Sequence, residues 1–486
     1  MDAFEIKNQM PEEKVKRKKS GKKKILVILG ILGFVLLVAG VIVWNTPKIV
    51  IAHSLTSAIE DFGEREELAF ALEMLNGGSL EVNAKGEGLS LDGKVYMNLE
   101  EYCLLADSVT YKNSSATYFA SCCVSPESIW VQSKNGLPNG VFGLTPGQAV
   151  KNLDKYCERN NISKEGNDYD ILHSICQIID NGESAELFED ILEVTEEVQK
   201  ERYKLLLEHA EIDVKIKTVN IDGKNVTARV YKILLDERAL DEADCDYYEY
   251  LAESRAVKKL LEKYDTFFID MLGGNSKKDD VLDLFDEWIR KAEKAVDNEG
   301  CTYTLKLTTS LLTSTMLEFS VFYEWESESW TYDTEMFSVK CDTKGVDKSD
   351  LLEFVFYDEV YTYEVKKNDK NRFVAELSSE WLEAEFFYNK ERDDFTLEVT
   401  EIYEDEKTEL VYIEGELCVE KGKIEINSEK VRLNEKETNF SIALCLLKKD
   451  EMPTYSYDAT ALYDSKFEDA FWRIEDDWWR VLNKYF

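Results

Sequence analysis

Three histidines are all this chain offers for imidazole chemistry: His53, His173 and His209. A Ser-His-Asp triad or a histidine-rich metal site would have to draw on them, and each falls inside a helical pattern. No GxSxG, HExxH, P-loop or dinucleotide fingerprint occurs, and no EF-hand loop. The ten cysteines are Cys103, Cys122, Cys123, Cys157, Cys176, Cys245, Cys301, Cys341, Cys418 and Cys445. None forms a CxxC, which removes zinc-ribbon and thioredoxin-like chemistry. Carboxylates are the abundant reactive group, with 97 Asp and Glu against 59 Lys and Arg. Two could serve a glycan hydrolase, but no spacing singles out a pair. The acidic clusters Asp279, Asp280, Asp283, Asp286, Glu287 and Asp241, Glu242, Asp244, Asp246 read as solvated helix faces. No cofactor or metal is expected. A formal charge of -38 argues against nucleic acid as a partner.

Geometry decides more about the cysteines than composition does. If Tyr102–Tyr111 and Ala116–Val124 form a hairpin, Cys103 faces the neighbourhood of Cys123 or Val124. Side chains alternate across a strand, so only one of Cys122 and Cys123 can meet Cys103. Cys123 is the expected one, with Cys103 bonded to it or left reduced. Cys418 and Cys445 are expected to be separated by the strand Lys423–Leu433, roughly 9–10 Å apart and beyond disulfide reach.

One segment must position the rest. Ile25 to Trp44 reads ILVILGILGFVLLVAGVIVW, with no charge in twenty residues. A helix of that length spans roughly 30 Å, the bilayer's hydrocarbon core. Residues 1–24 carry nine Lys/Arg and four Asp/Glu, so the remainder holds 50 basic and 93 acidic groups, net -43. The positive-inside rule then places residues 1–24 in the cytoplasm and the acidic bulk outside. A cleaved signal peptide fits less well, because the apolar run is long and no small-x-small site follows. The expected location is the cell membrane, in a single pass.

Beyond the anchor, residues 47–76 follow a helical period with an irregularity near Gly63. The period then becomes two, with strands at Leu80–Ala84, Lys94–Leu99, Tyr102–Tyr111, Ala116–Val124 and Ser128–Gln132. Turns are expected at Leu91-Asp92-Gly93 and Lys112–Ser115. Helices follow at Gly147–Asn160, Tyr169–Asp180 and Ser184–His209. A hairpin turns at Asn220–Gly223. Ala239–Leu272 and Lys277–Val296 are helical again. Cys301 to Leu447 is nearly all strand, and Phe467–Phe486 closes as an amphipathic helix. Its stripe of Phe467, Phe471, Ile474, Trp478, Leu482 and Tyr485, widened by Trp472, Trp479 and Phe486, is expected to dock on the sheet.

The expected fold class is α+β: one N-terminal transmembrane helix, then wide antiparallel sheets covered by helices. The expected regions are 1–24 cytoplasmic tail, 25–44 membrane helix, 45–300 helix–meander–helix with a hairpin, and 301–486 sheet with closing helix. The order of elements resembles the half-barrel of periplasmic lipoprotein carriers. The general layout resembles uncharacterised membrane-anchored extracellular proteins of Gram-positive bacteria. The resemblance covers element order and no motif. It implies a lipid-binding module at the cell envelope, with lipid or an envelope protein as partner. The alternatives are a wall-carbohydrate binder using sheet aromatics such as Trp325, Trp330 and Trp381, and a carboxylate-based glycan hydrolase.

Overall fold

The computed structural model describes residues 47–486, except 64, 222, 274–279, 312–313, 327–330, 343, 345–348, 404–405 and 456. The expected membrane helix, Ile25 to Trp44, therefore lies outside the described residues. Among the described residues no helix is long and apolar enough to cross a membrane.

The chain opens with α1 (Pro47–Gly63) and α2 (Glu66–Leu75), which runs straight into the first strand. The first meander is β1 (Asn76–Gly86), β2 (Leu89–Asn98), β3 (Cys103–Lys112), β4 (Thr117–Val124), β5 (Ile129–Lys134) and β6 (Gly140–Leu144). Helices α3 (Ala149–Asn160), α4 (Asn167–Asn181) and α5 (Ser184–His209) follow. Then come the hairpin β7 (Glu211–Ile221) and β8 (Lys224–Leu235) and helices α6 (Glu237–Glu253), α7 (Arg255–Lys263), α8 (Asp265–Gly273) and α9 (Val281–Lys294). The second meander is β9 (Cys301–Ser310), β10 (Met316–Glu326), β11 (Thr331–Cys341), β12 (Leu351–Phe356), β13 (Glu359–Asn368), β14 (Arg372–Ser379), β15 (Leu382–Asn389), β16 (Asp394–Tyr403), β17 (Glu406–Glu420), β18 (Lys423–Leu433), the two-residue β19 (Lys436–Glu437) and β20 (Ser441–Leu447). Helix α10 (Lys466–Leu482) ends the ordered elements.

Among the described residues every strand pairing is antiparallel, and the twenty strands belong to one sheet. Its spatial order runs β6 to β1 in reverse, then β20, β18, and down the second meander to β7. The β1–β20 pairing joins the two meanders, and β8–β9 carries the sheet across residues 300–301. The stretches 45–300 and 301–486 therefore share one sheet. The β6 edge is covered in turn by the segment after β20. There Gly143 N donates to Ala461 O and Thr460 N to Val141 O. Covering an edge blocks pairing with another chain.

Two local readings need correction. Leu91-Asp92-Gly93 is not a turn but lies within β2, where the register against β3 slips between Asp92 and Lys94. Gly93 suits this bulge, since a Cβ there would sit 3.0 Å from Val109 Cγ2. The hairpin turns instead at Glu87-Gly88, both left-handed at φ 52° and 81°, as a two-residue loop requires. The single long helix expected over Ala239–Leu272 is three. Ser254 breaks the first, and its hydroxyl caps the second by accepting from Val257 N.

Helices α4 to α9 pack chiefly on one another. Ile178, Leu187, Val198, Leu251, Leu261, Phe268, Phe285 and Ile289 share one buried cluster. A second cluster ties Leu235 and Ala239 to Tyr303 and Leu305, anchoring this bundle at β8 and β9. Cover over the sheet is thus local rather than continuous.

Helix α10 docks by a narrower stripe than its aromatic content suggests. Ala470, Val481 and Tyr485 are buried with Leu89, Tyr111 and Tyr118, and Ile474 and Trp478 pack beside them. Phe471, Trp472, Trp479 and Phe486 stay 56–64% exposed, so these four residues of the expected stripe face away. At 100° per residue the 470/474/481 line lies well round the helix from 472/479. One face cannot hold both.

Candidate ligand-binding face and cysteine pocket

The register of the second meander builds two unlike faces from simple alternation. Leu352 pairs with Tyr363, then Leu377, Ala384, Val399, Val411 and Leu433 across seven strands. The adjacent row on the same face is Val365, Ala375, Phe386, Leu397, Ile413 and Val431. Phe373, Tyr388 and Phe395 make a third row, and ring centroids lie 6.2 Å apart for Phe373–Phe386 and 6.1 Å for Phe386–Phe395. These contacts are in the range of favourable aromatic pairs.

The opposite face is ionic. Glu364, Glu376, Glu385 and Glu398 form one cross-strand row that continues into Tyr412 and Arg432. Lys366 pairs with Glu376, Lys407 with Glu383, and Arg432 with Glu409 while stacking 3.9 Å over the Tyr412 ring.

Residues sealed beneath a second layer would be buried, and on the apolar face of β13 to β16 only Ala375 and Phe395 are. Tyr361, Tyr363, Phe373, Phe386, Tyr388, Leu397 and Val399 remain partly exposed, and Leu377 is 40% exposed. At the β12 end Arg65 closes the face, with its guanidinium 5.8 Å over the Tyr363 ring and Nη1 donating to Ser349 O at 3.0 Å. At the β18 end Leu433 packs against the α10 cluster. The open stretch lies between. Of the three tryptophans read as sheet aromatics, Trp381 is exposed at the β14–β15 turn, Trp325 sits near the end of β10, and Trp330 lies outside the described residues.

Cys103 and Cys123 occupy a different part of the sheet. Cys123 pairs with Leu105, so the side chains of Cys103, Leu105 and Cys123 share a face, while Cys122 points to the other. Both thiols are free. Cys103 Sγ donates to Met452 Sδ at 3.5 Å. Burial pushes both thiols up, Cys123 to about 12. Together with Trp130 and Tyr455 they line a cavity of about 490 Å³. Sequence reasoning missed Met452, which stands 349 residues from Cys103 and carries no local signal. Cys418 and Cys445 are each paired across from Glu425 on β18, two strand spacings apart.

The remaining candidates are engaged in structural roles. His209 Nε2 lies 2.7 Å from Asp246 and Nδ1 3.3 Å from Glu242. The His173 ring lies 5.6 Å from Tyr169. In the acidic clusters Asp241 and Asp244 accept from Asn298, Asp280 caps α9, and Glu287 pairs with Lys291. Among the described residues, no three His, Cys, Asp or Glu side chains converge as metal ligands would. Among the described residues, each carboxylate whose pKa is displaced is displaced downward. Lys263 does this for Asp190, and Lys164 for Asp154. No family model, curated protein or solved structure matches the chain.

Proposed function

We propose that this chain is a membrane-anchored, extracytoplasmic binding protein, held by Ile25–Trp44, whose ligand is apolar and lies on the face of β12 to β18. One observation carries the reading: two cross-strand rows of Leu, Val, Ile, Ala, Phe and Tyr run over those strands and remain only partly buried between Arg65 and α10. At about 4.8 Å per strand, the open strands β13 to β17 span roughly 19 Å, room for an acyl chain. Each methylene taken from water contributes about 0.8 kcal/mol, so acyl length should set affinity. The ionic face behind supplies solubility without competing for the ligand.

The test uses the full chain in detergent micelles and a fluorescent fatty acid. Saturable binding displaced by unlabelled fatty acid is expected, with Phe386→Asp abolishing it while the melting curve is retained. If Phe386→Asp binds as well as the parent, the face is not the site. Retention of soluble wall glycan with no fatty-acid binding would favour the carbohydrate reading.

A further inference from the structure

The cavity around Cys103 is built from segments far apart in the chain. Its floor carries the sulfurs of Cys103, Cys123 and Met452, with Leu105 beside them. Tyr102 stacks edge-on against Phe188 of α5 on one side, with ring centroids 4.7 Å apart. On the other side Trp130 meets Tyr457 at 4.7 Å and Tyr455 at 6.0 Å. Glu100, Glu101, Glu127 and Glu189 also line the cavity, all exposed, and no Lys, Arg or His does.

Each layer of this arrangement asks for the same kind of guest. Four carboxylates with no lining cation favour a positive charge at the entrance. The floor then offers three sulfur donors and no nitrogen. Hard ions such as Ca²⁺ and Mg²⁺ need six or more oxygens. Zn²⁺ takes four ligands of N, O or S type in its closed sites. Among the described residues no third His, Cys, Asp or Glu converges with the two thiols, so the sulfurs meet neither need. Soft thiolate and thioether donors select Cu(I) and its congeners. We propose that Cys103, Cys123 and Met452 form a binding site for a soft monovalent metal ion, Cu(I) at the cell envelope and Ag(I) as its redox-inert surrogate.

Binding changes no oxidation state. Each thiol releases its proton to solvent, the two thiolates and the Met452 lone pair bind the ion, and the metal stays at +1. Cys103 is offset by two residues along β3 from the position directly opposite Cys123, on the same face.

The experiment titrates the full chain in detergent, under reducing conditions, with Ag(I) and with Cu(I) held by a chromophoric competing chelator. One equivalent of either ion should be retained. Cys103→Ser and Cys123→Ser should each lose tight binding. Met452→Leu keeps the volume and should weaken it by about tenfold or more, the loss that even outer-shell partners of a metal produce. Melting curves of the apo variants identify any that fail to fold, and for those the Met452→Leu result decides. Two results overturn the proposal: retention of metal by the parent no better than by the Cys103→Ser/Cys123→Ser double variant, or a Cys103–Cys123 disulfide in chain isolated from cells with thiols trapped at lysis.

Discussion

Asp477 is the point at which α10 is fastened to the first meander, and its removal should release that helix. One carboxylate oxygen accepts from Asn113 Nδ2 at 2.6 Å and from Tyr111 OH at 3.3 Å, and the other accepts from Arg480 at 2.6 Å. The Asp477 side chain is only 14% exposed, so these bonds are little screened. A hydrogen bond to a charged group contributes about 1.5–3 kcal/mol. The Arg480 pair is an i,i+3 contact on an exposed arm and adds about 0.3 kcal/mol. The long Tyr111 bond adds less than the short Asn113 bond. Asp477→Ala should therefore weaken α10 docking by about 2–4 kcal/mol. In a chain of this size that loss is local unfolding, not a two-state shift. Hydrogen exchange of the α10 amides reads it directly. Asn113→Ala, Asp477→Ala and the double variant complete a cycle whose coupling should exceed about 1 kcal/mol. Asp469→Ala, at an exposed position on the same helix, should stay within about 0.5 kcal/mol. Additive losses for Asp477 and Asn113 would refute the fastening.

Glu385→Gln should stabilise the sheet by about 0.5 kcal/mol, because Glu385 lies directly between Glu376 and Glu398 and like charges across a pair oppose folding. Added salt should act in the same direction on the parent, and a melting series in NaCl checks both. Gly415→Ala should cost about 2–3 kcal/mol by urea melting, since its Cβ would sit 2.0 Å from the Asn427 carbonyl at the β17–β18 bulge. Acid should unpin three carboxylates. Lys263 lowers Asp190 and Lys164 lowers Asp154, while at Asp450 burial pushes up but Lys94 and Ser79 together outweigh it. A depressed folded pKa gives stability that is full above the unfolded value of about 3.9 and is lost as pH falls through the folded one. Asp190→Asn should flatten the melting profile in that acid range and leave its neutral-to-alkaline slope unchanged.

Much of the fold was legible because the period of the apolar residues is a local property. Ser184–His209 is read at its true ends, and the described residues from Cys301 to Leu447 are nearly all strand as their alternation predicts. What the sequence hides is which faces meet. The β1–β20 pairing joins Ser79 to Leu447, and nothing in either strand names the other. β6 was overlooked because Gly140 and Gly143 interrupt its run, yet Gly143 is needed there, with Ile129 O only 2.1 Å from where a Cβ would stand. The α10 stripe misled for a related reason. Aromatic content marks what a helix can bury, whereas Ala470 and Val481 mark what it does bury. The cysteine pocket was half legible: alternation selects Cys123 over Cys122, and Glu100, Glu101 and Glu127 flank the two cysteines in sequence, but the third sulfur, Met452, comes from the segment after β20.

The two faces of β12 to β18 together argue for use rather than for stability. A sheet region seeking only to fold would bury its apolar rows under the helices, which this chain has in number, and would alternate charge signs on the wet side. Here α4 to α9 spend their apolar faces on each other. The glutamate row sets four like charges side by side, with Lys366 on Glu376 as its paired cation. Both choices cost stability, by leaving apolar area in water and by repulsion between neighbours. Natural sequences tolerate such local conflicts where function needs them. A bound apolar ligand would remove the first cost, since whatever binds only the folded state stabilises it by mass action. The second would remain, and it keeps the ionic face wet and unable to stack on another copy of the sheet. The apolar face is then the one side of this region on which a guest is gained rather than repelled.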